Sequence, residues 1–153
     1  MATARGFANH AIYMAQILLD AWESELAGGS ELSPEVLSAA FAPAVRLHLV
    51  DAYGWLLLEA IKVQPLPERP PHGVGELPKQ KQGLAVAERV EEFARLELSG
   101  WLADLLSPFP AGLSGRQKGM IVGGGPPGLR EFISWRDALA DLFNEMGESA
   151  EEY

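Results

Sequence analysis

The most recognisable chemical spacing in this sequence is a set of glycines in the stretch MIVGGGPPGLREF, residues 120–132. Gly123, Gly125 and Gly128 match the Gly-x-Gly-x-x-Gly pattern that places backbone N–H groups and a helix N-terminus against a pyrophosphate. Residues 126 and 127 are both proline, which removes two of those amides. The 153-residue chain ends 25 residues after Gly128, so no second strand of a βαβ unit can follow. The stretch therefore predicts a turn before a last helix, with weak or absent nucleotide binding.

A row of polar side chains on a long apolar segment is the second candidate for chemistry. At helical steps of three and four residues the segment carries His48, Asp51, Trp55, Glu59 and Lys62. Buried polar groups need partners, and a neighbouring helix could supply them. The residues expected in such a polar pocket are His48, Asp51, Tyr13, Gln16 and Asp20. The same pattern is also found at the solvent-facing edge of a helix and in a satisfied structural network, and both of these are commoner than a functional pocket.

Metal, thiol and serine chemistry have little support in the sequence. Cysteine is absent, and neither His-Glu-x-x-His nor Glu-x-x-His occurs around His10, His48 or His72. The segment GLSGRQ around Ser114 matches the Gly-x-Ser-x-Gly nucleophile elbow only in part. The sequence thus predicts no catalytic, cofactor-binding or metal-ligating residue and no cofactor.

Helical periodicity predicts the elements that would position these side chains. Four helices are predicted, at residues 7–27, 34–63, 84–106 and 129–146. Ser33 and Pro34 suit a helix cap and a first helical position, and Gly147 suits a helix end. Between and after the helices are two long loops, 64–83 and 107–128, and a flexible acidic tail, 147–153. The expected fold is all-α, a four-helix bundle-like single domain over residues 1–153.

Charge and hydropathy exclude several classes of partner. The net charge of -9, from 12 basic and 21 acidic residues, disfavours nucleic acid. The longest apolar region, AVRLHLVDAYGWLLLEAIKV, carries several charged groups, so it predicts a buried helix and no membrane span. An export signal is not evident in the first residues, and with no cysteine the expected location is the cytoplasm.

Three segments carry a resemblance to a known family. They are NHAIYMAQILLDAWESEL, AFAPAVRLHLVDAYGWLLLEA and GLAVAERVEEFARLELSGWLADLL. Together they resemble a family of short helical proteins from gammaproteobacteria, a domain of unknown function, over about the first 106 residues. The resemblance implies a bacterial cytosolic helical protein and transfers no catalytic residue. A fainter resemblance is to helical ribonuclease-type domains with an Arg several residues before a His; here Arg46 and His48 stand closer together.

These observations favour a non-enzymatic helical-bundle protein that acts through protein contacts, as an adaptor or by self-association. Apolar residues surround the second helix, among them Val45, Leu49, Tyr53 and Leu56. Any part of that helix left uncovered within the chain is expected to be a contact surface. The alternative is a small-ligand-binding or hydrolytic, ribonuclease-like bundle whose polar site surrounds His48.

Overall fold

Five α-helices and one short 3₁₀ helix make up the computed structural model, which describes residues 2–78, 83–108 and 127–151. The α-helices are α1 (Ala4–Ala27), α2 (Pro34–Ala60), α3 (Leu84–Leu96), α4 (Trp101–Leu106) and α5 (Leu129–Glu151). The 3₁₀ helix is Val74–Glu76, in the loop between α2 and α3. The described residues contain no strand, which confirms the predicted all-α, bundle-like fold.

Side chains satisfy free backbone N–H groups where α1 and α2 begin. Thr3 accepts a hydrogen bond from the N–H of Gly6 at 2.9 Å, and Ser33 accepts one from the N–H of Val36 at 3.2 Å. Pro34 follows Ser33 as the first residue of α2, where its missing N–H costs nothing. The Ser33 cap and the Pro34 position are therefore as predicted from the sequence.

The predicted helix 84–106 is divided into two. α3 ends at Leu96, and α4 begins after Gly100, which has a φ of 83°. This left-handed conformation cannot continue an α-helix, and glycine adopts it without the steric cost that a Cβ imposes. The chain therefore changes direction between α3 and α4, and the single long helix predicted there is wrong.

The C-terminal helix is longer than predicted. α5 continues through Gly147 to Glu151, so the expected helix end at Gly147 and the expected flexible tail from residue 147 are wrong for residues 147–151. A glycine inside a helix costs about 1 kcal/mol relative to alanine, which the neighbouring turns can offset. Residues 152 and 153 lie outside the described part of the chain.

The core is built on a close pairing of α1 with α2. A row of small residues on α1 faces inward: Ala4, Ala8, Ala11 and Ala15. Small side chains allow two helix backbones to approach closely, and α1 and α2 share the largest interface of the fold. α5 packs across both helices, and Phe132 of α5 is fully buried beside Trp22 of α1, with ring centroids 6.0 Å apart.

Aromatic rings fill the centre where these three helices meet. Trp22 stacks on Phe41 of α2 with ring centroids 5.9 Å apart, and Phe132 meets Trp135 edge to face at 4.9 Å. Of the four tryptophans, Trp22, Trp55 and Trp135 are buried, and Trp101 is partly buried. Large rings in offset and edge contacts add to the stabilisation that their burial provides.

The short helix α4 is held at its C-terminal end by a side chain of α2. The guanidinium of Arg46 donates from Nε to the Leu105 carbonyl at 3.1 Å and from its terminal nitrogen to the Leu106 carbonyl at 2.8 Å. These carbonyls are at the negative end of α4, where a cation is favourable. Burial lowers the pKa of Arg46, which nevertheless stays charged because the pKa of arginine is so high. Arg46 is thus a structural residue that attaches α4 to α2.

The last turn of α2 ends in a Schellman motif. The N–H of Val63 donates to the Leu58 carbonyl at 3.2 Å, and the N–H of Lys62 donates to the Glu59 carbonyl at 3.3 Å. Lys62 has a φ of 53°, at the position where glycine is usual. Val63, which follows it, is buried and anchors the loop.

Replacing Lys62 by glycine is expected to raise the free energy of unfolding by about 1 kcal/mol, because glycine adopts a positive φ without steric cost. Lys62→Ala is the matched control, since it removes the charge but keeps the Cβ, and its stability is expected to change by less than about 0.5 kcal/mol. Urea denaturation followed by far-UV circular dichroism measures both. An equal gain in the two variants would assign the effect to the lysine charge and contradict the backbone explanation.

A helix that crosses a bilayer must be long and almost wholly apolar. Within residues 2–78, 83–108 and 127–151, no helix has the length and apolar character needed to cross a membrane. This agrees with the expectation drawn from the charged groups of residues 44–63.

Candidate functional site

The loop that follows α2 folds back onto the outer face of that helix. Gly54 lies directly under it: a Cβ at this position would overlap the carbonyl oxygen of Pro71 and come within 2.9 Å of the Pro70 side chain. Gly54 and Pro71 are both buried. Glycine is therefore required here because two backbones approach each other too closely for any side chain.

Two polar contacts hold this loop in place, and the first is between two ionisable side chains. His72 Nε2 lies 3.0 Å from Oδ1 of Asp51 on α2. The N–H of His72 also donates to the carboxylate of Glu76 at 2.6 Å, which closes the turn before the 3₁₀ helix. Both side chains of the His72–Asp51 pair are partly solvent-exposed, so the pair positions the loop more than it stabilises the fold.

The second contact centres on Glu97, just after α3. Its carboxylate accepts a hydrogen bond from the Tyr53 hydroxyl at 2.5 Å and others from the N–H of Val74, the shorter at 2.9 Å. Tyr53 is completely buried in α2, and Val74 begins the 3₁₀ helix. One carboxylate thus joins α2, the loop and the end of α3. Bonds to a charged acceptor are among the stronger hydrogen bonds of proteins.

The environment of Tyr53 changes its ionisation. Burial raises the pKa of Tyr53, and the hydrogen bond to Glu97 and the negative charge of Glu97 raise it further. In the unfolded chain the hydroxyl ionises at about pH 10, as in a free tyrosine. Above that pH the folded state therefore binds one more proton than the unfolded state, and its stability must fall as the pH rises.

The free energy of unfolding is expected to decrease with a slope of about 1.4 kcal/mol per pH unit above pH 10 because of Tyr53 alone. Tyr53→Phe is expected to lack this part of the slope, while the lysines titrate alike in both proteins. Urea denaturation at several alkaline pH values measures the difference. Parallel stability profiles for the two proteins would refute a proton held by folded Tyr53.

The residues predicted for a polar pocket are distributed over separate contacts. Gln16 donates to Asp20 at 2.6 Å, and its side-chain oxygen accepts a hydrogen bond from Arg136 of α5. Asp51 is bonded to His72, as described above. Tyr13 is exposed, and the side chain of the half-buried His48 makes no hydrogen bond to any described residue. Among the described residues, a hydrogen bond joins Gln16 to Asp20, but none connects either residue with His48 or Asp51.

The described part of the chain offers little to a metal ion or a small ligand. No group of three or more His, Asp and Glu side chains in it is placed to hold a metal ion. A groove of about 150 Å³ lies between α3 and α5, with Phe93, Leu96 and Leu142 among its apolar walls and Arg89, Glu92 and Glu145 at its edges. Pockets for small molecules usually measure about 300–1,000 Å³, so this groove is small for a ligand site.

The glycine pattern that suggests a nucleotide site falls mainly outside the described residues, as does Ser114. Gly128 is described and precedes α5: its N–H donates to the side chain of Glu131 at 2.9 Å, and its carbonyl accepts from the N–H of Phe132. Glu131 thus occupies the free N–H at the start of α5 in the manner of a capping box. For Gly128, the interpretation as a turn before the last helix agrees with the structure.

The outer face of α2 carries a row of apolar residues that is partly exposed to solvent. Apolar residues follow each other there at steps of 4, 3, 4, 3 and 4: Val36, Ala40, Pro43, Leu47, Val50 and Gly54. This is the spacing of a seam on which another helix can pack. The loop lies over Gly54 at the end of this series. Val50 is 2 % exposed, whereas Val36 and Leu47 are 37 % and 50 % exposed. We call Val36, Ala40, Pro43 and Leu47 the outer α2 row.

The apolar residues named from the sequence as a possible contact surface lie elsewhere on the helix. Val45, Leu49, Tyr53 and Leu56 are at most 1 % exposed, because α1, α5 and their neighbours cover that side of α2. These four residues therefore form no part of an uncovered surface of α2. The uncovered part of α2 is the outer α2 row, which lies about half a turn away around the helix.

Acidic side chains are absent from the outer α2 row and its surroundings along the helix. Between Glu35 and Asp51, α2 carries only Arg46 and His48 as titratable residues. The chain as a whole has 21 acidic residues against 12 basic ones, so this stretch differs from the average surface. An uncharged apolar row in an acidic protein is suited to contact with another apolar surface.

Comparison with models of protein families, with curated proteins and with solved structures gave no match to this chain. Its function must therefore be inferred from the geometry of its own residues.

Proposed function

We propose that this chain is a non-enzymatic helical-bundle protein that acts by binding another protein surface through the outer α2 row. The observation that carries the proposal is the contrast within one apolar row. The loop covers Gly54 and Val50 is buried, whereas Val36 and Leu47 remain substantially exposed. Exposed apolar side chains that continue a buried seam are typical of a contact surface.

The spacing of the row supports a helix as the element that it binds. Residues at steps of four and three line one side of an α-helix, so a second helix can lie along them at a small crossing angle. Ala40 and Pro43 in the middle of the row are small and compact, which favours a close approach there. Pro43 is exposed although it is inside α2, and its ring forms part of this surface.

Capture experiments with matched variants test the proposal. Leu47→Glu places a carboxylate at one end of the outer α2 row, in place of its most exposed apolar side chain, and is expected to lower the recovery of a bound protein at least tenfold. Leu98→Glu is the control, because Leu98 is also highly exposed but lies beyond α3 and outside the row. The tagged wild-type chain and both variants are incubated with lysate of the cells that produce it, after circular dichroism has shown that all three are folded.

The result expected is a protein retained by the wild-type chain and by Leu98→Glu, and lost from Leu47→Glu. That protein can be a second copy of this chain or a different one. Equal recovery with both glutamate variants would contradict the proposal, because the outer α2 row would then make no contribution to binding.

A further inference from the structure

We infer that the partner of the outer α2 row is the same row of a second copy of this chain, in antiparallel orientation about a two-fold axis. This inference rests on the proposed contact role of the row and specifies its partner. Three properties of the row carry it: the order of residue sizes, the local charge, and the limits of the exposed surface.

The order of sizes along the row is symmetric. The two outer residues, Val36 and Leu47, are large, and the two inner ones, Ala40 and Pro43, are smaller. In an antiparallel pair, Val36 of one copy faces Leu47 of the other, and Ala40 faces Pro43, so the same contacts occur twice. A two-fold interface requires this kind of self-complementarity, in which residue i contacts j and j contacts i.

The charges around the row permit two acidic chains to approach each other here. A chain with a net charge of -9 repels a second copy over most of its surface. The outer α2 row avoids this repulsion because no acidic residue occurs between Glu35 and Asp51. By contrast, several carboxylates lie on the solvent side of each of the other long helices, for example Asp20 on α1 and Asp141 on α5.

The exposed apolar surface of α2 is short, so two copies can pair only over a limited length of helix. At one end the row stops with the start of α2 at Pro34, two residues before Val36. The loop, held by Asp51 and His72, closes it at the other. Such a short contact buries less than the ~1,600 Å² of a standard interface, so the dimer is expected to be weak and concentration-dependent.

Cysteine cross-linking tests the orientation, since the chain has no cysteine of its own. A disulfide needs Cα atoms within about 7 Å. In the antiparallel pair, position 36 lies close to position 47 of the other copy. Positions 36 of the two copies are separated by about 16 Å, which is 11 residues at 1.5 Å each. A mixture of Val36→Cys and Leu47→Cys chains is therefore expected to form the mixed disulfide, and neither variant alone to form its own.

Leu98→Cys, mixed with Val36→Cys, controls for random collisions between exposed thiols. Sedimentation velocity of the wild-type chain over a wide concentration range complements the cross-linking and is expected to show a monomer–dimer equilibrium. Leu47→Glu is expected to weaken that equilibrium at least tenfold.

The outcomes separate this inference from the proposed function. Efficient cross-linking of Val36→Cys with itself would overturn the antiparallel arrangement. A wild-type chain that remains monomeric at all concentrations, with no mixed disulfide above the Leu98→Cys control, would overturn the second copy as the partner. The proposed contact function would survive that result if Leu47→Glu still abolished capture of a different protein.

Discussion

Replacing Gly54 by alanine is expected to lower the free energy of unfolding by about 3 kcal/mol, the upper part of the usual range for overpacking. The added methyl group would overlap the Pro71 carbonyl oxygen and press on the Pro70 side chain. A backbone oxygen cannot rotate away, so the loop must lift from α2. Lifting it also weakens the His72 contact with Asp51 and the Val74 bonds to Glu97. Urea denaturation of both proteins measures the loss.

Gly147→Ala is the matched control, because Gly147 also lies inside a helix. A Cβ there would come within 2.7 Å of the Arg5 guanidinium, the end of a long side chain that can move aside. Alanine favours a helix over glycine by about 1 kcal/mol, so this variant is expected to be as stable as the wild type or slightly more stable. A loss of similar size in the two variants would contradict the special role of the close contact at Gly54.

Replacing Glu97 by alanine is also expected to cost about 3 kcal/mol, because it leaves the buried Tyr53 hydroxyl and the Val74 N–H without their acceptor. Tyr53 is completely buried, so water does not replace the lost partner without a structural change. The loop between α2 and α3 should loosen as well, since the same carboxylate accepts the N–H of Val74 within that loop. Hydrogen exchange at Val74 and neighbouring amides is expected to become faster, and urea denaturation measures the stability.

Two glutamate variants serve as controls for this effect. Glu97→Gln keeps a side-chain oxygen that can accept from Tyr53 and is expected to cost only about 1 kcal/mol. Glu91→Ala removes an exposed glutamate from α3 and is expected to change stability by less than about 0.5 kcal/mol. If Glu97→Gln were as unstable as Glu97→Ala, the negative charge and not the hydrogen-bond acceptor would be the property that matters.

The positions of α1 and α2 could be predicted because local signals agree there. Ser33 caps the helix that Pro34 begins, and the glycines after Ala27 end the first helix within about a residue of the prediction. Ala15, Leu19 and Trp22 recur at helical spacing and are all buried. Periodicity and capping are local properties of the sequence, so a fold made of long helices is well determined by them.

The breaks within helices were harder to predict, because a glycine has no fixed effect. Gly100 adopts a left-handed conformation and separates α3 from α4, whereas Gly147 remains inside α5. Both are single glycines in segments with helical periodicity. Which of them interrupts the helix depends on the packing of the surrounding turns, which the local sequence does not contain.

The polar contacts could be predicted only in part. The helical spacing singled out Asp51, but its partner His72 lies 21 positions further along in a Pro-rich loop without periodicity. The Tyr53 hydroxyl and its acceptor Glu97 are 44 positions apart, so no local spacing indicates that they are bonded.

The loop seated on Gly54 also limits how copies of this chain can pair. The apolar seam of α2 repeats every seven residues, and an uncovered seam could slide by one repeat to give several registers or an open-ended stack. Pro70 and Pro71 lie over Gly54 and Val50 is buried, so only the segment from Val36 to Leu47 remains for the proposed pairing. In the proposed dimer, the loop contact at Gly54 would therefore favour a single register and a closed assembly of two copies instead of a growing polymer.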